Sequence, residues 1–288
     1  MDLASLSGII THNYEIEPIL GIEKTLNGSG NTFHVNTESA NYIAKQNERL
    51  DFILLYDKVE SILSKSGYVQ SKIIRTVKNE LITPESVALY TFLHGIIYKT
   101  LTMSHLENAL IYMKQFNAVL LKVPFASSEL QIINNWDKAK SIDFLINHFQ
   151  YRCFPIKQED ILLMDNQGIL AKAPKQLIHS DLGPDNFVFQ NDAVYSIIDF
   201  TPEYENELYS FCQFCYWNYF WFSMQNKRLI EEWLRIYYQR DISKGEKELF
   251  NLLMIKTAIF RIAGSLMAGN MALDKRFDIL KSTINDAL

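Results

Sequence analysis

The stretch LIHSDLGPDNFVFQNDAVYSIIDF, residues 177–200, sets His179, Asp181, Asn186 and Asp199 at spacings suited to chemistry. Gln190, Asn191 and Asp192 form a turn cluster between two short apolar runs, so FVFQNDAVYSIIDF reads as a hairpin. A hairpin brings its two ends side by side. Asn186 stands just before the first strand and Asp199 at the end of the second. An amide oxygen then lies beside a carboxylate, a hard-oxygen pair suited to Mg2+, with water and phosphate in the remaining positions. Asp181 falls on the loop leading in, where a carboxylate can orient an attacking hydroxyl and accept its proton. His179, at the head of that loop, is expected to hold it by hydrogen bonds rather than to do chemistry.

The flanking sequence supplies the elements that must position these groups. Residues 15–48 have the texture of a small antiparallel sheet: EPILGIEKTL and NTFHVNT flank the turn NGSG, and ANYIAKQNE follows. Phe33 and Val35 alternate with Thr32 and His34, a period of two. Over 51–66 the period changes. Phe52, Leu55, Val59, Ile62 and Leu63 form one helical stripe, and Gly67 is the expected stop. SKIIRTV and SVALYTFL read as further short runs before His94-Gly95. Ser104-x-x-Glu107 has the form of a capping box opening a helix with Leu106, Leu110, Met113, Phe116 and Leu120 on one face. Another helix is expected at 141–150, and everything after about residue 205 reads as helical, with breaks near 225–226, 241–245 and 269–270. Strands followed by helices predict an α+β fold, with a β-rich part at 1–94 and a helical part at 95–288.

Composition narrows the function classes. Hydrophobic residues make up 48% of 288 residues and charged residues 21%, an ordered globular balance. The net charge of −5 does not favour a nucleic-acid partner. Three cysteines, Cys153, Cys212 and Cys215, do not form a disulfide framework, which suits a reducing compartment. Cys212 and Cys215 make a C-x-x-C, but inside the apolar run LYSFCQFCYWNYFWF they read as small core residues. The N-terminus has no basic start and no long apolar stretch, and the aromatic run is shorter than the roughly 20 residues of a spanning helix. A cytoplasmic protein with no membrane partner is expected.

HSDLGPDN followed by IIDF resembles the H-x-D-x-x-x-x-N … D loop pair of kinase-like folds, in the form used by the aminoglycoside phosphotransferase and choline kinase superfamily. The resemblance implies a protein-kinase-like two-lobed fold and transfer of the γ-phosphate of ATP to a hydroxyl of a small molecule. It casts Asp181 as the catalytic acid–base residue, with Asn186 and Asp199 as metal ligands. YIAK then matches the strand that brings a lysine, Lys45, to the α- and β-phosphates. Gly28, Ser29 and Gly30 occupy the place of the phosphate-covering hairpin, and Tyr90, Thr91 and Phe92 that of the hinge that meets adenine. A carboxylate from helix 51–66 should fix Lys45. Glu60 borders the apolar stripe, Asp57 lies nearly opposite it, and Glu48 is the alternative if the helix begins early. Ser180 stands where the superfamily usually has glycine, and the glycine turn is not a full G-x-G-x-x-G.

In this superfamily the helices after the second acid wall the acceptor site. Glu203, Glu205 and Trp217 are therefore the candidate acceptor contacts, suited to a hydroxyl-rich or cationic molecule of aminoglycoside, choline or homoserine type. A solvated acidic loop is the plainer reading of 203–207. The other class of function is a nucleotide-binding protein that kept the fold and lost the transfer. The complete set of Lys45, Asp181, Asn186 and Asp199 argues against it.

Overall fold

The computed structural model describes residues 2–25, 31–98, 100–126, 129, 168–222, 227–267, 269 and 272–285. The helix expected at 141–150, Cys153 and the turn Gly28–Ser29–Gly30 lie outside the described residues. The chain divides into two compact units, Met1–Ile96 and Ile97–Leu288.

In the first unit, period-two runs become one antiparallel sheet. Its strands β1 (Gly21–Lys24), β2 (Thr32–Asn36), β3 (Asn41–Gln46), β4 (Ile73–Ile74) and β5 (Val87–Thr91) pair in the order β1-β2-β3-β5-β4. Alternation sorts their side chains onto two faces. Phe33, Val35, Ala44, Val87 and Leu89 pack with Leu6, Ile10 and Tyr14 of the N-terminal segment. Ala88 and Tyr90 turn the other way, onto Ile53 and Leu81. Val87 to Tyr90 are all buried, which is why this strand reads as a continuous apolar run. Helix α1 (Leu3–Asn13), not anticipated from the sequence, covers the first face and starts on Asp2, whose carboxylate accepts the Ser5 N–H at 2.7 Å. Helix α2 (Leu50–Lys65) supplies Ile53 to the second face. It stops at Gly67, φ +86°, where the Gly67 N–H donates to Ser64 O and the Tyr68 N–H to Leu63 O, each at 3.0 Å. These are the two bonds of a Schellman stop, and glycine takes its left-handed position.

The second unit opens with α3 (Met103–Leu120). Its capping box is not Ser104/Glu107 but Thr102/His105: the Thr102 hydroxyl accepts the His105 N–H at 3.2 Å, and His105 Nδ1 faces the Thr102 N–H at 3.5 Å. The helix starts earlier because His105 Nε2 also reaches Asp192 Oδ1 at 3.3 Å, joined there by the Tyr98 hydroxyl at 3.1 Å. These hydrogen bonds hold the Asp192 carboxyl below its ordinary pKa. They anchor the tip of the expected hairpin, β7 (Phe187–Gln190) and β8 (Ala193–Ile197). Asn191 and Asp192, with φ +50° and +62°, make the tight turn between them.

After a short helix α4 (Ile169–Lys172), β6 (Gln176–His179) leads into the loop carrying Asp181. Residues 202–205 form a strand rather than a solvated loop: β9 (Pro202–Glu205) pairs antiparallel with β6, with His179 opposite Pro202. Pro202 is tolerated because it begins the strand. Four helices follow: α5 (Leu208–Phe222), α6 (Lys227–Tyr238), α7 (Lys244–Met267) and α8 (Leu273–Asn285). Helix α5 is buried on nearly every side, including Cys212 and Cys215, whose thiol pKa values burial pushes well up. They are free core thiols. Helix α7 is long and apolar enough to cross a membrane by length and composition, yet it lies mostly buried, packed on α5 and α8.

Candidate active site

The loop around Asp181 is built on a buried histidine. His179 ends β6 fully buried, and burial pushes its imidazole pKa below the ordinary value. Its two nitrogens serve two loops. Nε2 lies 3.2 Å from Ile198 O, and Nδ1 accepts the Asp181 N–H at 3.2 Å. A neutral ring with its proton on Nε2 satisfies both. His179 thus ties the Asp181 loop to the residue before Asp199. The Ser180 N–H adds a bond to Thr201 O at 2.9 Å, and the Ser210 hydroxyl donates to His179 O at 3.0 Å.

Asp181 is half-exposed, and its two carboxylate oxygens differ. Oδ1 accepts from Arg261 Nη2 at 2.5 Å and from the indole N–H of Trp217 at 3.1 Å. Oδ2 has no hydrogen-bond partner among the described residues. Arg261 is itself held: Nε and Nη2 donate to Gln213 Oε1 at 2.9 and 2.5 Å, and the guanidinium lies 4.7 Å from the Trp217 ring centroid. Ser210, Gln213 and Trp217 recur on one side of α5, so a single helix face supports the loop. The loop approaches that face closely at Gly183. A Cβ there would meet Asp185 Oδ1 at 2.5 Å and the Trp217 ring at 3.2 Å, so a larger residue would have to displace the Asp185 carboxylate and press on the ring.

Asn186 closes the 3₁₀ turn Pro184–Asn186. Its side-chain amide nitrogen donates to Asp181 O at 2.5 Å, and its backbone carbonyl accepts the Ile198 N–H at 2.9 Å. With the nitrogen committed inward, Oδ1 is the remaining acceptor. Asp199 follows β8 as an exposed residue with φ +57°, a left-handed conformation uncommon outside glycine and a frequent mark of functional sites. Partial desolvation, then the charges of Asp181 and Asp199, push the Asp185 carboxyl above its usual pKa. Among the described residues no cage of three or more His, Cys, Asp or Glu is gathered. One amide oxygen and one exposed carboxylate instead fit an ion that keeps water and phosphate ligands, as Mg2+ does.

In the first unit, Lys45 lies on β3 opposite Ala88, on the face toward α2. Its Nζ stands 5.6 Å from the Tyr90 ring centroid. The Tyr90 hydroxyl donates to Glu48 Oε2 at 3.4 Å, so Glu48 shares this tyrosine with Lys45. Glu60 instead accepts from Ser64 Oγ one turn along its own helix, at 2.6 Å, and Asp57 pairs with Arg75 at 2.8 Å. Of the acids weighed from the sequence, this geometry favours Glu48, because Glu60 finds a local partner first. The Thr91 N–H donates to Lys72 O at 2.8 Å, and the Phe92 N–H to Asn41 O at 3.2 Å. The Phe92 ring packs between His34 and His94, at 4.8 and 5.0 Å.

The acceptor candidates separate. Trp217 stands at the Asp181 carboxylate. Glu205 does not face solvent: it is 2% exposed, with Lys256 Nζ at 2.9 Å from Oε2 and the Asn206 N–H at 2.9 Å from Oε1. Glu203 is buried on the same strand. β9 pairing pulls both acids into the core, which removes the basis for reading them as an exposed acidic patch. Ser210, Gln213 and Arg261 were missed by sequence reasoning. Polar residues at i and i+3 in an otherwise aromatic helix were the available signal for the first two. Nothing in the spacing links Arg261 to Asp181.

The description of the phosphotransferase enzyme family matches residues 22–202. Similar solved structures include spectinomycin phosphotransferase APH(9)-Ia in complex with ADP and spectinomycin, 15% identical, TM-score 0.65, covering 99% of this chain and 94% of that one. The amicoumacin kinase hAmiN in complex with AMP-PNP, Ca2+ and Ami is 13% identical, TM-score 0.66, covering 100% and 93%. The Plasmodium vivax ethanolamine kinase is 16% identical, TM-score 0.63, covering 92% and 81%. No curated protein matches the sequence.

Proposed function

The chain belongs to the phosphotransferase enzyme family, whose small-molecule kinases share its α+β, protein-kinase-like fold, and from that premise we propose that it transfers the γ-phosphate of MgATP to a hydroxyl of a small molecule. The observation that carries this reading is the Asp181 carboxylate: one oxygen is held by Arg261 and Trp217, and the other has no hydrogen-bond partner among the described residues. Asp181 orients the acceptor hydroxyl for in-line attack and takes its proton. Asn186 Oδ1 and the Asp199 carboxylate would hold Mg2+, which would supply charge neutralisation at the phosphates. Lys45 contacts the α- and β-phosphates, with Glu48 as its orienting acid. The Tyr90–Phe92 segment meets the adenine. Most of the rate enhancement is then alignment and charge neutralisation.

The acceptor is a hydroxylated small molecule of the breadth seen around this fold: aminoglycoside-like, choline-like or homoserine-like. Trp217 offers it an aromatic wall. A cytoplasmic setting suits the free thiols of Cys212 and Cys215. Incubation with MgATP and a panel of hydroxylated amines and sugars, read by ADP release and by mass spectrometry of products, tests the reading. A phosphorylated product formed by wild type and lost in Asp181→Asn supports it. Product formation equal in both proteins would overturn the role of Asp181.

A further inference from the structure

We propose that Arg261, braced by Gln213, is a positioning residue that fixes the Asp181 carboxylate in its productive orientation. The inference rests on Asp181 being the proton acceptor. In the transfer step the acceptor oxygen forms a bond to the γ-phosphorus and its proton passes to Asp181. The bond between the γ-phosphorus and the β,γ-bridging oxygen breaks, and its electron pair leaves with ADP. Only one carboxylate oxygen can take that proton, and a free carboxylate rotates.

The structure removes that freedom. Oδ1 is pinned by two donors from different helices, the Arg261 guanidinium of α7 and the Trp217 indole of α5. Oδ2, with no hydrogen-bond partner among the described residues, is the oxygen that faces the acceptor. The guanidinium cannot swing away. Gln213, 2% exposed, takes two of its N–H groups, Ser180 O lies 3.4 Å from Nη2, and the Trp217 ring packs on the guanidinium. Arg261 is largely buried, at 18% side-chain exposure, whereas Asp181 is 44% exposed. A pair serving stability alone gains little from desolvating an arginine beside an acid left open to solvent. The same pair makes sense as a mount. The planar fork can hold Gln213 and Asp181 at once, which a lysine cannot reproduce.

The test uses the full chain and MgATP, with water as the probe acceptor and ADP release as the readout. Arg261→Gln is expected to lower kcat by about 10²-fold, the scale of a misplaced reacting group, while the KM for ATP and the melting temperature change little. Arg261→Lys is expected to regain part of the loss, and Gln213→Leu to lose about tenfold with Arg261 intact. These milder variants carry the same comparison if Arg261→Gln folds poorly. In an Asp181→Asn background, Arg261→Gln should cost no more than about twofold, because the group being positioned is gone. A full additional loss in that background would make Arg261 a general structural residue and overturn the proposal. So would a kcat within twofold of wild type for both Arg261→Gln and Gln213→Leu. If Asp181→Asn itself left hydrolysis unchanged, the reading of Asp181 would fall, and the positioning role with it.

Discussion

Two of the cations of helix α7, Lys256 and Arg261, stand five positions apart, and each reaches a carboxylate on the β6–β9 side of the second unit. The two pairs are built differently. Lys256 and Glu205 have side-chain exposures of 7% and 3%, and both Glu205 oxygens are engaged. Asp181 is 44% exposed, and its Oδ2 has no hydrogen-bond partner among the described residues. A buried carboxylate with both oxygens engaged presents neither of them to a solvent-borne proton donor. A half-exposed carboxylate held through one oxygen can present the other to such a donor. Burial, rather than residue type, separates the two acids here. The Arg240–Glu246 pair at the start of the same helix is a third case, exposed and redundant with a cap.

The largest expected effect breaks the buried pair. Lys256→Met should lower stability by up to roughly 3–5 kcal/mol in urea unfolding, because Glu205 loses its buried partner and keeps only the more exposed Lys175, whose Nζ lies 3.4 Å from Oε1. Lys256→Met/Glu205→Leu should recover most of that loss. A single variant as stable as wild type would show that the burial of this pair carries no weight. Next comes Asp181→Asn, which should keep the fold and nucleotide affinity but lose turnover by at least about 10²-fold. A rate within a few-fold of wild type would erase the distinction between the two acids. Asp199→Ala should make ATP binding nearly the same in Mg2+ and in EDTA by calorimetry, where wild type should differ. An undiminished metal dependence would place the ion elsewhere.

The smallest effect belongs to the exposed pair. Hydrogen bonds from Arg240, then from Ser243, lower the Glu246 pKa from 4.5 to about 2. A lowered carboxyl pKa stabilises the fold above the unfolded value, and the benefit disappears as pH falls through the folded value. Wild type should therefore exceed Glu246→Gln by less than about 1 kcal/mol above pH 4.5, and the two should converge as the pH approaches 2. A gap that persists at low pH would assign the effect to the helix cap rather than to the charge.

Two similar motifs explain where reading the sequence stopped. Ser104-x-x-Glu107 and Ser243-x-x-Glu246 both have the form of a capping box. Only the second is one: the Ser243 N–H donates to Glu246 Oε2 at 2.9 Å, and the Glu246 N–H reaches Ser243 Oγ at 3.3 Å. At the first, tertiary contacts of His105 with Asp192 shift the start of the helix to Thr102. The hairpin at 187–197 and the β2 alternation were readable because period and turn chemistry are local. The helix at 3–13 was not, since its burial depends on the distant strands β1 and β5. β9 was missed for the same reason: its partner, β6, precedes it by more than twenty residues and lies on the far side of the hairpin.

The sequence alone determined the order of chemical groups. His179, Asp181, Asn186 and Asp199 follow one another on a loop and a hairpin whose geometry is set by neighbouring residues, so their roles can be inferred from spacing. It also determined the strand carrying Lys45 and the glycine that stops α2. The tertiary structure decided which acid each cation meets. Glu205 enters the core with Lys256, Glu60 turns to Ser64, and Arg261 crosses from a helix eighty residues away to hold Asp181. Side-chain pairing depends on where whole elements pack, and packing is set by the sum of many apolar contacts rather than by any short pattern.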